Sequence, residues 1–529
     1  MPKNIENGTI GKYFDLPNPG LVSYFDIVQK GQPEVYSTPF ARHNGGTQKV
    51  LKDWLPQLDK ISEQWPTLLE FEKDLATKVG PMSVMKPLSE RIMDIDSYYD
   101  GIHQPVARIN DTALQAVVSE FSPIRGLHLR SQQRTVDLMK KSTNSGSPYF
   151  TKRRRVVEKT VPCRSNGQLQ FLDGGEKTYD VAAILGWRGQ EGGPATGDVK
   201  QRVVWMFPFA INILELQVYQ PLIESAQRFN LVPSWVSMES VDQRITRMFD
   251  TKADGDLVVC TDFEKFDQHF NSALQLAAEQ ILRRILAPDA DSLNWLRQIF
   301  PIKFNIPLAV DMNTVFTGAH GMGSGSGGTN ADETLAHRAL QYEAAIKNNS
   351  RLNPNSQCLG DDGVLTYPGI TAEDVMQSYK RHGLKMNASK QYESTQDCTY
   401  LRRWHHKDYR MDGMCVGVYS TCRALGRLCE QERYYDPEIW SKEMVALRQL
   451  SIMENVKYHP LRAEFADFCM KRDMYRLGLD IPGFLDNIDR IAKESIEVMP
   501  DFLGYTKTMM KNQDVGLSSW WIVNYLKSK

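Results

Sequence analysis

The spacing of hydrophobic positions changes period several times along the middle of this chain, and each change predicts an element. Leu257-Val258-Val259-Cys260 is a short unbroken apolar run, the pattern of a buried strand, and it gives way to Asp262. After Asn271 the period lengthens, because Leu274, Ala278, Ile281, Leu282 and Ile285 recur at helical spacing behind Ser272-x-x-Gln275, which reads as a capping box. A second helix is expected beyond Asn330, with Leu335, Ala339, Tyr342 and Ile346 on one face. A third is expected over Thr371 to His382, capped by Thr371 with Asp374 and closed by Gly383. Between these two helices, Gly360-Asp361-Asp362-Gly363 is flanked by Cys358-Leu359 and Val364-Leu365. Glycines relieve a tight turn and the apolar flanks can pair, so a hairpin is predicted with the aspartates at its tip.

Strands and helices therefore mix through residues 250–410, an α+β pattern. The last hundred residues place Trp440, Leu447, Ile452, Phe465, Phe468 and Tyr475 in longer periodic stretches and read as mainly helical. The first 65 are rich in Gly, Pro, Asn and polar residues, and are expected to lie as an extended segment on the rest, anchored by Trp54 and Trp65.

Composition narrows the class. A chain of 529 residues exceeds one compact core and should split into about three or four units. The best apolar stretch, Val203 to Leu216, is interrupted by Pro208 and Asn212, so no membrane-spanning segment is expected. Met1 to Gly8 lacks the apolar core of a signal peptide, which points to a reducing cytoplasm or the interior of a particle assembled there. The eight cysteines include no Cys-x-x-Cys; Cys415, Cys422 and Cys429 recur every seven residues, as on one face of a buried helix rather than in a zinc site. A net charge of −1 argues against nonspecific nucleic-acid binding over the whole surface and leaves room for a focused basic channel. Residues 130–164 supply one candidate, with ten Lys or Arg against two acids.

The chemistry converges on phosphoryl transfer. Asp262, Asp361 and Asp362, if gathered within roughly 4 Å, would repel by about 4 kcal/mol per pair at an effective dielectric of about 20, and so require divalent cations. Oxygen-only ligands favour Mg2+ or Mn2+, two ions in a site of this type. Asp267, five residues after Asp262, can take a different task, accepting a hydrogen bond from a ribose 2′-hydroxyl. The run Gly321 to Asn330 precedes a helix, so its backbone N–H groups can meet phosphate or template; no βαβ frame surrounds it, which argues against a dinucleotide fold, and no Lys follows it, so it is not a P-loop. Lys385 or Lys390 could protonate departing pyrophosphate, and Arg402-Arg403, beside aromatics, could hold a strand end.

Taken in order, these segments resemble the motifs of viral RNA-dependent RNA polymerases. Asp262 to Asp267 is similar to motif A, Ser324-Gly325-x-x-Gly328-Thr329 to motif B, Gly360-Asp361-Asp362 to motif C, Gly383 to Lys390 to motif D, and Tyr400 to Trp404 to motif E. Thr143 to Tyr149 resembles the template-guiding motif G, and Lys200-Gln201-Arg202 the end of motif F. Chain length and the wording from Ser324 to Asn330 are most similar to the polymerases of picobirnaviruses, which have double-stranded RNA genomes.

The resemblance implies a right hand with closed fingertips and a ferredoxin-like antiparallel palm sheet. Motif order puts the fingers at 66–204 and 296–323, the palm at 205–295 and 324–410, the thumb at 411–529, and an N-terminal bridge at 1–65. It implies catalysis by Asp262, Asp361, Asp362 and Lys390, the aspartates on metal. Lys200, Arg202, Asp267, Ser324, Thr329 and Asn330 would contact the nucleotide, and Thr143, Ser145, Gly325, Arg402 and Arg403 the RNA or template. Implied partners are template and nascent RNA, NTPs and a viral capsid protein, with the enzyme monomeric. Many relatives carry Asn nine residues after the motif B serine, where this chain has Glu333; Asn330 or Asp332 is the expected substitute. Two rival readings are a reverse transcriptase, disfavoured because dNTP-selecting sites block the 2′ position with an aromatic where this chain has Asp267, and a non-catalytic RNA-binding or particle protein.

Overall fold

The computed structural model describes residues 10–434, 440–498 and 516–529. Met1 to Gly8, read above for targeting, lies outside the described residues.

A four-stranded antiparallel sheet organises the centre. Val258–Thr261 pairs on one side with Tyr392–Ser394 and on the other with Asp362–Leu365, which in turn pairs with Gln357–Leu359. Alternate side chains enter two different cores. Val259 and Leu365 pack with the helices Ser272–Ile285 and Thr329–Lys347, while Val258, Cys260 and Val364 pack with Val241, Ile245 and Met248 of the helix Met238–Thr251. Both faces are covered, which is why Leu257 to Cys260 is apolar without alternation.

The expected helices form, with one correction. Ser272–Ile285 is capped by Asn271, whose side chain accepts from the Ala273 N–H, and Gln275 instead donates to the carbonyls of Phe270 and His320. The Asn271 carbonyl-amide side chain reaches the free N–H groups one residue earlier than the Ser272 hydroxyl could. Ala372–Lys380 starts at Thr371, whose hydroxyl accepts from the Asp374 N–H as anticipated.

A second mixed sheet joins distant segments: Lys200–Met206 runs antiparallel to Ala183–Gln190, which lies parallel to Leu308–Ala309, itself paired with Val315–Phe316. Beyond residue 440 the described residues carry the helices Lys442–Glu454, Arg462–Arg472, Ile488–Val498 and Trp521–Lys527. Cys422 and Cys429 share the helix Thr421–Cys429, but Cys415 belongs to a short strand, so the sevenfold spacing does not mark one helix.

The N-terminal region is mostly helical rather than extended, with helices at Pro19–Lys30, Pro39–His43 and Thr47–Trp54. Proline at the first helical position and the Asn18 and Thr38 caps start the first two of these, signals that a composition count averages away. Trp54 is buried against Phe465 and Phe468 and donates its indole N–H to the Thr421 hydroxyl at 2.9 Å. Trp65 stacks edge-on against Trp404 and Tyr409. Phe14, Leu21 and Phe25 instead join Ala182, Ile184, Ala309 and Val315. No helix among the described residues is long and apolar enough to cross a membrane.

Candidate active site

Gly363 stands opposite Thr261 in the central sheet, so the Gly360-Asp361 turn and Asp262 meet at the same end. The turn is tight, with Leu359 directly opposite Asp362, and Gly360 adopts a left-handed φ of 56° that suits glycine. Gly360 is gripped from the helix Thr329–Lys347: its N–H donates to the Thr334 hydroxyl at 3.0 Å, and its carbonyl accepts from His337 Nδ1 at 2.8 Å. Burial pulls the His337 pKa down to about 4, so the ring is neutral and Nδ1 carries the proton. Asp262 is fixed through its backbone by Gln391, whose Oε1 accepts from the Asp262 N–H at 3.1 Å and whose Nε2 donates to the Asp262 carbonyl at 2.7 Å.

Burial raises the pKa of all three carboxyls. Asp267 adds to the rise at Asp361, and Asp361 helps push Asp362 up to about 7. Lys390, Lys78 and Lys200 oppose the rise at Asp262, as does Arg202 at Asp361. Asp361 is open to solvent on one side, so water screens part of the repulsion. Facing carboxylates that raise one another fit a Mg2+ or Mn2+ site in which one or two protein oxygens are joined by water and substrate phosphate.

Asp362 Oδ2 accepts from the Leu401 N–H at 2.8 Å. Among the described residues no three His, Cys, Asp or Glu side chains are gathered as one ion site.

Strand alternation puts Lys200 and Arg202 on one face, while Gln201 turns away to donate to the Val84 carbonyl. Burial, and then Lys78, Lys390 and Arg402, lower the Lys200 pKa, the mark of a crowded cationic rim. Lys390 is exposed at the end of the turn Ala388–Lys390. Leu401 and Arg402, both at positive φ, make the tight turn of the hairpin Asp397–Tyr400 and Arg403–His406. Burial and the neighbouring Arg423 lower Arg402 to about 10. Arg403 points the other way and is buried beside Asp242, so only one of the paired arginines faces the site.

Glu333, rather than Asn330 or Asp332, meets Asp267. Its buried carboxyl shares a hydrogen bond with Asp267, and its pKa is driven well above normal by burial and then by that neighbour. Asn330 instead accepts from the Trp235 indole at 2.7 Å, and Asp332 is buried against Lys303 and Tyr219. The helix starts at Thr329, so the carboxylate one turn from the loop points inward where Asn330 points out.

The glycine-rich loop spends much of its polarity internally. Ser324 Oγ bridges the Trp205 N–H and the Val203 carbonyl, and Thr329 Oγ1 donates to backbone carbonyls of the loop, including that of Gly323 at 3.3 Å. The N–H of Gly327 donates to Glu215 and that of Gly328 to Ser326. A Cβ on Gly325 would fall 1.6 Å from the Trp205 carbonyl oxygen, so glycine there permits the loop to lie on the Lys200–Met206 strand. Ser145 is likewise internal: it is buried, its hydroxyl accepts from the Thr151 N–H, and its carbonyl takes the Phe209 N–H. Thr143 is half-buried nearby. Of the basic residues at 130–164, Arg130 pairs with Glu224 and Arg153 with Asn212, while Lys152, Arg154 and Arg155 are exposed.

Sequence reading did not single out Lys78, Glu191, Arg423 or Arg427. Arg423 pairs with Glu191 at 2.7 Å, and both Arg423 and Arg427 act electrostatically on Arg402. They come from segments with no local signature, and only the fold gathers them.

Residues 196–447 match the family model "Viral RNA-dependent RNA polymerase". The chain is 61% identical over 526 residues to a "Potential RNA-dependent RNA polymerase" of human picobirnavirus (strain Human/Thailand/Hy005102/-), covering 98% of each chain. Its fold superposes on the crystal structure of the RNA-dependent RNA polymerase of a human picobirnavirus with a TM-score of 0.94, 60% identity, and coverage of 99% of this chain and 100% of that one. An insertion-loop deletion mutant of a human picobirnavirus polymerase matches with a TM-score of 0.92, 59% identity and the same coverage. Likeness over nearly the whole length accompanies paired aspartates on a gripped turn and a cationic rim around them, and the chain belongs to the viral RNA-dependent RNA polymerases, among those of picobirnaviruses.

Proposed function

We propose that this polymerase joins NTPs by two-metal nucleotidyl transfer, with Asp262 and Asp361 as the principal ligands and Asp362 as their support. The observation that carries the reading is the convergence of these carboxyls at one sheet end, where each is pushed toward its protonated form unless cations are present. Two Mg2+ or Mn2+ ions held there would neutralise charge on the attacking 3′-hydroxyl and the leaving pyrophosphate. Lys200 and Arg202 bind the triphosphate from one face of their strand. Lys390, whose charge is felt at Asp262, protonates the departing pyrophosphate. Asp267, backed by Glu333, inspects the ribose, and Arg402 holds the strand end at its exposed turn. Ser324, Thr329 and Gly325 act mainly by shaping the loop beneath the nucleotide.

The right-hand reading keeps the sequence boundaries. Ordered by sequence, the central strands stand fourth, first, third, second across the sheet with two helical crossovers, the arrangement of a ferredoxin-like palm. Pairing of Ala183 with Leu308 supports assigning both 66–204 and 296–323 to the fingers. The N-terminal region packs on Ala182 and Ile184 at one end and on Phe465 and Phe468 at the other, which supports a bridge that closes fingers onto thumb. Template and nascent RNA and NTPs are the substrates; a capsid protein, and residence in the host cytoplasm or virion, are proposed from the viral relatives. Asp361→Ala should abolish NTP incorporation while RNA binding, read by filter retention, persists; continued synthesis would overturn the assignment.

A further inference from the structure

We infer that His337 and Thr334, which do not reach the substrate, are positioning residues that set where the metal-binding turn sits. The inference rests on Asp262 and Asp361 being the metal ligands. Both backbone groups of Gly360 are taken by side chains one helical turn apart, Thr334 accepting from its N–H and His337 donating to its carbonyl. Asp361 follows immediately, so the orientation of that peptide aims its carboxylate.

The imidazole is held on all sides. Phe263, Phe266 and Tyr379 surround it with ring centroids at 5.1, 6.1 and 6.1 Å. Gly363 lies against its far edge, where any Cβ would come within 2.7 Å of Nε2. Nε2 is buried without a partner, and so is the nearby hydroxyl of Thr261. Leaving polar atoms unpaired opposes folding, so the ring is oriented for its one bond to Gly360 rather than for its own satisfaction. Glu333 precedes Thr334 and meets Asp267, so one rigid helix fixes the spacing between the residue inspecting the sugar and the turn holding Asp361.

Three variants test this in RNA-free, full-length protein. His337→Phe keeps an aromatic ring and removes the donor, Thr334→Val removes the acceptor, and His337→Asn retains an N–H donor. Mn2+ binding is counted by electron paramagnetic resonance, folding is checked by thermal melting, and Asp361→Ala serves as the ligand control. The expected result is that His337→Phe and Thr334→Val weaken Mn2+ binding by about tenfold, the loss typical when a group orienting a ligand is removed, while His337→Asn recovers most of it. Mg2+ half-saturation of nucleotide incorporation should rise by the same factor with the NTP KM nearly unchanged. If His337→Phe does not fold, Thr334→Val decides alone. Folded variants that bind Mn2+ like the parent overturn the inference. Unchanged Mn2+ binding in Asp361→Ala instead overturns the ligand assignment, and the inference with it.

Discussion

The backbone N–H of Leu401 donates to Oδ2 of Asp362 at 2.8 Å, tying the second carboxylate of the pair to the turn that carries Arg402. The two adjacent aspartates thus have different surroundings: Asp361 faces Asp267 and Arg202, while Asp362 joins two hairpins. Asparagine at 362 would keep an oxygen acceptor for Leu401. Single-nucleotide incorporation by Asp362→Asn should stay within about tenfold of the parent, the scale of one altered hydrogen bond, whereas Asp361→Asn should be inactive. Equal loss in the two variants would refute this division.

The same contact has a pH signature. The folded Asp362 carboxyl holds its proton up to about 7, against an ordinary value of 3.8. Between those values the folded state binds more protons than the unfolded state, so this group's contribution to stability falls as pH rises from 4 to 7. At ~1.4 kcal/mol for each pH unit of difference, the upper bound is on the order of 4 kcal/mol. In melts without divalent ions between about pH 5 and 8, Asp362→Asn should flatten the decline and melt higher than the parent at the alkaline end. Parallel curves would show that Asp362 is ionised throughout.

Much of this site was legible because it is built from local signals. An apolar strand ending at Asp262, glycines around Asp361 and a loop before a helix are each written in a few consecutive residues. What escaped reading depends on where side chains point after folding. Arg402 and Arg403 are neighbours in sequence, yet Arg402 lies in the hairpin turn at positive φ while Arg403 begins the next strand and is buried beside Asp242. Lys78 and Arg423 reach the rim from segments far apart in the chain, and nothing in either segment marks them. The N-terminal helices were missed because a count of composition averages away the proline and cap signals at Asn18 and Thr38 and the helical spacing of Leu21, Phe25 and Val28.

Lys303 and Asp332 form a wholly buried ion pair at 3.0 Å beneath the glycine-rich loop, with Tyr219 donating to the other Asp332 oxygen. Removing one partner strands the other charge away from water. Lys303→Met should destabilise the protein by about 3–5 kcal/mol in urea unfolding, and adding Asp332→Leu should restore much of it. A double variant no more stable than the single one would mean that the pair's hydrogen bonds, and not charge compensation, dominate.

Glu333 occupies the place where the resemblance leads to an expected asparagine, and its surroundings favour its neutral form. Burial first, and then Asp267 and Asp361, drive its carboxyl well above the usual range, which favours the protonated form that can donate to Asp267. A cation bound at Asp361 would weaken only the last of those effects, leaving burial as the main cause. Glutamine reproduces the size and the neutral donor. Glu333→Gln should therefore preserve discrimination between NTP and dNTP within about twofold in competitive incorporation. Glu333→Asp retracts the carboxyl by one methylene, breaks the contact with Asp267, and should lower discrimination by about tenfold, the worth of one buried hydrogen bond. If the glutamine variant loses as much as the aspartate variant, an ionised Glu333 is required, and the departure from asparagine reflects a different way of reading the sugar.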